Sequence, residues 1–247
     1  MSDDDDAPSL SAHAMAALAA FYQEQRARDE LMAAAEAAAS QPAANADDDD
    51  QAAASATLDI DHIHENWQLS QFWYDAATID KLASAAVTAA GASGSIALLS
   101  TPSLYKRVKE LAVAAKCRGR IVLLEYDTRF KVYPDFVEYD YNHPLTFKPY
   151  HASCAPLAEH SFDVVVADPP FLAEECLTKT SESVKYLAKR DILLCTGLVM
   201  RKHAANLLGL RLCQFRPVHS GGRLSNEFAC YANFDSALGW DTTTTAE

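Results

Sequence analysis

Residues 162–171 read FDVVVADPPF, and the fold turns on them. Phe162, Val164, Val165, Val166 and Ala167 make an apolar, β-branched run too short for a helix and too continuous for a strand with one wet face. That is how a strand buried on both faces reads. Asp168 breaks the run, and Pro169-Pro170 forbid its extension, because proline fixes φ and has no N–H to give a ladder. The expectation is an inner strand ending at a stiff corner.

Outward from this corner, short apolar runs and helical patterns take turns. Upstream, residues 76–90 (AATIDKLASAAVTAA) predict a helix stopped by the glycines at 91 and 94, residues 96–99 a strand, and residues 102–116 a helix with Pro102 in its first turn. Strands follow at 121–124 and 136–139, and the quoted strand at 162–167 is the fourth. Downstream come a helix at 173–188, a strand at 191–195, a helix at 198–208, and strands at 211–218 and 226–234. This alternation predicts an α/β domain of βαβ units around a mostly parallel sheet of seven strands. Gly221-Gly222 is a hairpin signal, so the last strand is expected to run antiparallel.

Charge divides the chain differently. Residues 1–60 carry thirteen acids and two bases, a net of −11, whereas residues 61–247 carry nineteen bases and twenty-one acids, a net of −2. The reading is an acidic, Ala-rich helical appendage at 1–39, an acidic low-complexity linker at 40–60, and the α/β domain at 61–247. No run of about 18 uncharged apolar residues exists, and the opening MSDDDD is acidic where a secretory leader is basic. A soluble, cytoplasmic protein without membrane attachment is expected. Six cysteines at 117, 154, 176, 195, 213 and 230 form no CxxC pair, so reduced, mostly buried thiols and no metal centre are expected.

In an open parallel sheet, ligands bind beyond the carboxyl ends of the strands. Those ends hold Ser100, Thr101 and Ser103 after the first strand, Glu125 after the second, Asp140 and Tyr141 after the third, and Asp168 after the fourth. Acids closing three strands point to a polar ligand. The two prolines leave a corner whose carbonyls and carboxylate only accept hydrogen bonds, which suits an amine: Asp168 and the Pro169 carbonyl hold its N–H groups, and Phe171 covers its flank.

The DPPF corner after the fourth strand resembles the post-strand-four signature of the class I S-adenosylmethionine-dependent methyltransferases that methylate amino groups. That resemblance implies a Rossmann-like sheet, S-adenosyl-L-methionine as cofactor, Glu125 on the ribose hydroxyls, and Asp140 with Tyr141 beside the adenine. The chain departs from the class at IALLSTPSLYKRV (96–108), which has no glycine after the first strand. The N–H groups of a helix N-terminus still allow Ser100, Thr101 and Ser103 to receive the methionine carboxylate. The segments LSQFWYD (69–75), LLEYDTRF (123–130), FVEYDYNHP (136–144) and LSNEFACYANF (224–234) together are similar to the eukaryotic lysine methyltransferases of translation elongation factor 1-alpha, formerly labelled putative N6-adenine DNA methyltransferases. Protein-lysine methylation, with elongation factor 1-alpha as partner, is what this resemblance implies. It also favours Trp73 and Tyr74 as a lid beside the substrate, although such aromatic residues equally plug a core.

Two rivals remain at this level: an N6-adenine methyltransferase of DNA or RNA using the same corner, and a non-catalytic cofactor-binding relative. A body at −2 beside a tail at −11 repels phosphate, so no stable nucleic-acid complex is expected. A monomer is expected. His62 and His64 lack a carboxylate or cysteine companion at ligand spacing, His143 reads as a turn residue, and Arg201-Lys202-His203 read as exposed helix surface.

Overall fold

The computed structural model describes Met15, Ile63, Glu65, Asn66 and residues 69–152, 154–221 and 227–242. The chain divides into two units, Met1–Leu58 and Asp59–Glu247. The helix and linker expected in residues 1–60 lie outside the described residues, apart from Met15, which is helical and exposed.

Strand β1 (Ile96–Leu99) is fully buried and is flanked in parallel by β2 (Ile121–Glu125) and by β5 (Phe162–Ala167), the strand quoted above. Beyond β2 lie β3 (Phe136–Tyr139), parallel, and β4 (Phe147–Pro149), antiparallel. Beyond β5 lie β6 (Ala188–Gly197), parallel, and then β8 (Phe228–Ala232) and β7 (Arg211–Leu212), each antiparallel to its neighbour. The order is β4-β3-β2-β1-β5-β6-β8-β7. The chain leaves β1 for β2 on one side and returns to β5 on the other, so the switch point falls between β1 and β5.

Both faces are covered, which is why the inner strands read as continuous apolar runs. Period two sends Ala97, Leu99, Val165 and Ala167 to one face, where they share a core with Leu177, Val184 and Leu187 of α3 (Glu174–Leu187) and Ala204 of α4 (Arg201–Leu208). On the other side α1 (Ala76–Ala90) and α2 (Pro102–Ala114) pack against each other, and α1 also packs on β5. Helix α1 begins where Asp75 Oδ1 accepts from the Thr78 N–H at 2.7 Å, and ends at Gly91 with φ 67°. Such a cap contributes about 1 kcal/mol.

The sheet has eight strands, not seven. β4 is three residues long, partly exposed and ends in a proline, so it has neither the apolar run nor the alternation that marks a strand. The strand expected at 211–218 stops at Leu212, after which Cys213 makes a single bridge to Trp240. The helix expected at 198–208 starts as a 3-10 turn, Leu198–Met200. The antiparallel final strand is present, although part of the hairpin loop before it lies outside the described residues. Five of the six free cysteines are buried, and Cys195 and Cys230 face each other across β6 and β8 with sulfurs 3.6 Å apart. Among the described residues no helix is long and apolar enough to cross a membrane.

Candidate active site

A cavity of about 460 Å³ opens at the carboxyl ends of the parallel strands. Ser100, Thr101 and Ser103 line it from the β1 exit, Glu125 from β2, Asp140 and Tyr141 from β3, and Asp168, Pro169 and Phe171 from β5. Trp73 lines it from the segment before α1. The topology therefore brings these residues to one place, as expected of strand ends beside a switch point.

Tyr74 differs. It is 3% exposed and absent from the cavity wall, and its phenol donates to Asp168 Oδ2 at 2.5 Å. The residue therefore lies behind the cavity wall, where the expectation had placed it beside Trp73 as a lid. It gets there because residues 73–75 run antiparallel to residues 218–220: the Asp75 N–H donates to the Val218 carbonyl, and the Ser220 N–H to the Trp73 carbonyl.

Asp168 is set by the sheet. Its N–H donates to the Leu99 carbonyl at 3.0 Å, which continues the β1–β5 ladder to the last residue before the prolines. Burial pushes its carboxyl up to about 7; the Tyr74 phenol pulls it down and the neighbouring Glu125 charge pushes it further up. Burial also drives the Tyr74 phenol far above its ordinary value, with Asp168 adding to the effect, so that phenol remains a donor. One carboxylate oxygen is thus taken, and the other has no partner among the described residues.

At the β2 exit two acids two residues apart behave oppositely. Glu125 is buried, and burial pushes its carboxyl up to about 7 against the pull of the Asp127 N–H, which donates to its Oε1 at 3.3 Å. Asp127 is also opposed by burial, but Arg129 more than offsets it and holds the carboxyl below the usual range. Arg129 Nε reaches both Asp127 oxygens at 3.0 and 2.9 Å, and Gln71 Nε2 donates to Oδ2 at 2.9 Å. This clamp ties the segment before α1 to the β2–β3 loop. Gln71 itself lines the cavity.

The far rim is aromatic. Tyr141 and Phe171 meet edge to face at 5.8 Å, Lys179 lies 5.8 Å over the Tyr141 ring, and the Tyr139 hydroxyl pairs with Ser183 Oγ to fix the loop above β3. Phe171 is 42% exposed at the mouth. Asp140 caps its own turn, accepting from the Asn142 N–H at 2.8 Å. His143 lies in that turn and is exposed, whereas Arg201 and Lys202 are exposed on α4.

At the β1 exit Ser100 adopts φ 53°, the left-handed region where glycine is usual, so the chain makes the sharp turn without glycine. Thr101 is the N-cap of α2, yet its side chain does not cap the helix. Its Oγ1 is buried with no hydrogen-bond partner among the described residues. A buried hydroxyl left in this state is costly unless a ligand meets it. Together with a buried carboxylate at Glu125 that only a donor would favour, this fits a cofactor carrying both an anionic end and a pair of hydroxyls.

Sequence reasoning missed three contributors. Gln71 and Asp127 were visible only as neighbours of other candidates; the Asp-x-Arg spacing in EYDTRF was the available signal for the clamp. His219 also lines the cavity, 4.7 Å from the Tyr74 ring and 4.6 Å from that of Phe228. Nothing in HSGG marks it as a site residue.

A doubly wound sheet of this order, with an acceptor-only corner after its central strand and acids closing the neighbouring strands, defines a Rossmann-like methyltransferase domain. A family profile described as "Probable N6-adenine methyltransferase" matches residues 65–236. EEF1A lysine methyltransferase 1 of Mus musculus is 46% identical over 240 residues, covering 96% of this chain and 97% of the relative. The Homo sapiens protein of the same name is 46% identical over 239 residues, covering 96% of each. Among solved structures, a SAM dependent methyltransferase from Aquifex aeolicus aligns with a TM-score of 0.37 at 9% identity, over 70% of this chain and 95% of that one. The chain belongs to the EEF1A lysine methyltransferase 1 family of methyltransferases.

Proposed function

We propose that the protein is an S-adenosylmethionine-dependent lysine N-methyltransferase acting on translation elongation factor 1-alpha. The observation that carries this reading is the Asp168 corner: a carboxylate with one oxygen anchored by Tyr74 and the other directed to a cavity shared with Glu125. Relatives named as EEF1A lysine methyltransferases at 46% identity support the substrate.

When bound, the cofactor supplies a methyl group on a sulfonium. Glu125 would hold its ribose hydroxyls, Asp140 and Tyr141 would flank its adenine, and Ser100, Thr101 and Ser103 would receive its carboxylate. Asp168 and the Pro169 carbonyl orient the substrate nitrogen, and Phe171 with Trp73 walls it from water. A lysine ammonium, with a pKa of about 10.4 in water, must lose a proton before it can attack. The apolar wall favours that loss by disfavouring charge, whereas Asp168 opposes it. The contribution of Asp168 is therefore positioning, plus stabilisation of the charge that gathers on nitrogen as the methyl arrives.

A nucleic-acid adenine substrate fits less well, because a body near neutrality offers few phosphate contacts. The acidic linker at 40–60 acts as a solubilising tether, and a monomer in the cytoplasm, where the proposed substrate works, completes the reading. Incubation with radiolabelled cofactor and either elongation factor 1-alpha or duplex DNA tests it. Label is expected on a lysine of the factor and not on DNA; label on DNA alone overturns the assignment.

A further inference from the structure

The cavity wall includes an imidazole with no role in the reaction so far described. His219 is bridged to Tyr74 across the antiparallel contact between residues 73–75 and 218–220. Its ring lies tilted against Tyr74 at 4.7 Å, meets Phe228 edge-on at 4.6 Å, and meets Phe72 edge-on at 6.5 Å. Three aromatic rings thus fix its plane. Among the described residues neither ring nitrogen has a hydrogen-bond partner, although the residue lines the same cavity as Asp168. An oriented imidazole with unengaged nitrogens in a substrate cavity is equipped for proton transfer.

We propose that His219 is the base that receives the proton of the substrate ammonium. The proposal rests on the lysine reading above and deepens it. In this step an N–H bond of the ammonium breaks, its electron pair stays on the lysine nitrogen as the lone pair that attacks, and the proton binds a ring nitrogen of His219. The resulting imidazolium passes the proton to water at the exposed edge formed by Val218 and Ser220.

The surroundings suit both forms. Burial holds the imidazole below its ordinary value, so it is neutral and receptive at pH 7, while the carboxylates of Glu65 and Asp75 pull the other way and favour the imidazolium once formed. The Tyr74 phenol, the titratable group against the ring, is committed to Asp168, and Phe72 and Phe228 carry no charge. Asp168 is the competing acceptor. Protonating it would remove the negative charge that steadies the nitrogen during transfer, so the two tasks are better divided.

His219→Phe tests the division, because phenylalanine keeps the aromatic packing and removes both nitrogens. Single-turnover labelling of elongation factor 1-alpha is measured from pH 6 to 10, with cofactor affinity by equilibrium dialysis and folding by circular dichroism. The variant is expected to bind cofactor as the wild type does, to react about 10²-fold more slowly at pH 7, and to regain rate about tenfold per pH unit until it meets the wild type at about pH 9. His219→Gln, which keeps polarity, is expected to show the same slope, so a folding defect in one variant does not mask the result. A profile parallel to the wild type, or a rate at pH 7 within threefold of it, overturns the proposal while leaving the lysine reading intact. Wild-type protein that leaves the factor unlabelled removes both.

Discussion

The exits of β5 and β2 each present a carboxylate pushed up to about 7, yet they are built differently. At the β5 exit Asp168 has one phenol for support, and the next two residues are prolines without an N–H. At the β2 exit Glu125 stands beside a finished structural unit, in which Asp127, Arg129 and Gln71 satisfy one another. A buried carboxylate held by a guanidinium lies low and holds the fold; one without a cationic partner lies high and is open to a ligand. Glu125 and Asp127 lie two residues apart on one strand end and both are buried, and burial raises both; Arg129 and Gln71 offset it only at Asp127.

Four measurements break or sharpen that comparison. The largest effect is expected at Asp168→Ala, with kcat lower by about 10³-fold, or about 4 kcal/mol, and little change in cofactor affinity. Asp168→Asn should lose less, since its carbonyl still accepts from Tyr74 or the amine. Equal losses in kcat and cofactor binding would place Asp168 with the cofactor instead.

Glu125→Gln comes next and acts in two directions. The raised native value means that the ligand-free fold holds a proton that the unfolded chain releases from about pH 4.5 upward. Stability from this group is therefore intact at low pH and is lost as pH rises through 7. The glutamine variant should be up to about 3 kcal/mol more stable than the wild type at pH 8 and equal to it at pH 4, by denaturant titration. Its cofactor affinity should fall by about 10²-fold. A stability difference that does not vary with pH would refute the raised carboxyl of Glu125 in the ligand-free fold.

Asp127→Ala is expected to cost about 2 kcal/mol in urea unfolding, because Gln71 and the partly exposed Arg129 lose their acceptor. The ion pair with Arg129 contributes less than a buried pair would, since its guanidinium is solvated. Tyr74→Phe is the mildest. The ring packing on His219 survives and kcat falls about tenfold, near 1.4 kcal/mol. Since the phenol holds Asp168 down, its loss raises that carboxyl further and moves the acidic limb of the pH–rate profile to higher pH.

Most of the sheet was legible because its inner strands are apolar on both faces and bounded by abrupt breakers, as FDVVVA before Asp168-Pro169-Pro170 illustrates. Strand β4 was illegible: three half-exposed residues with a terminal proline carry no periodicity, and only pairing with β3 makes them a strand. Within the site, residues at strand ends could be located from topology alone. Tyr74, Gln71 and His219 could not, because their positions depend on segments 73–75 and 218–220 meeting across the top of the sheet, a contact between residues about 145 apart in sequence that leaves no local pattern.

The sequence by itself determined that an α/β sheet would form and that its carboxyl edge would carry three acids and an acceptor-only corner, since periodicity and proline act locally. The tertiary structure alone decided which acids lie high and which lie low, that Tyr74 supports Asp168 from below, and that an imidazole from a distant loop shares the cavity. Those outcomes depend on burial and on partners brought together by chain crossing, and a carboxylate's chemistry is set by what surrounds it in space.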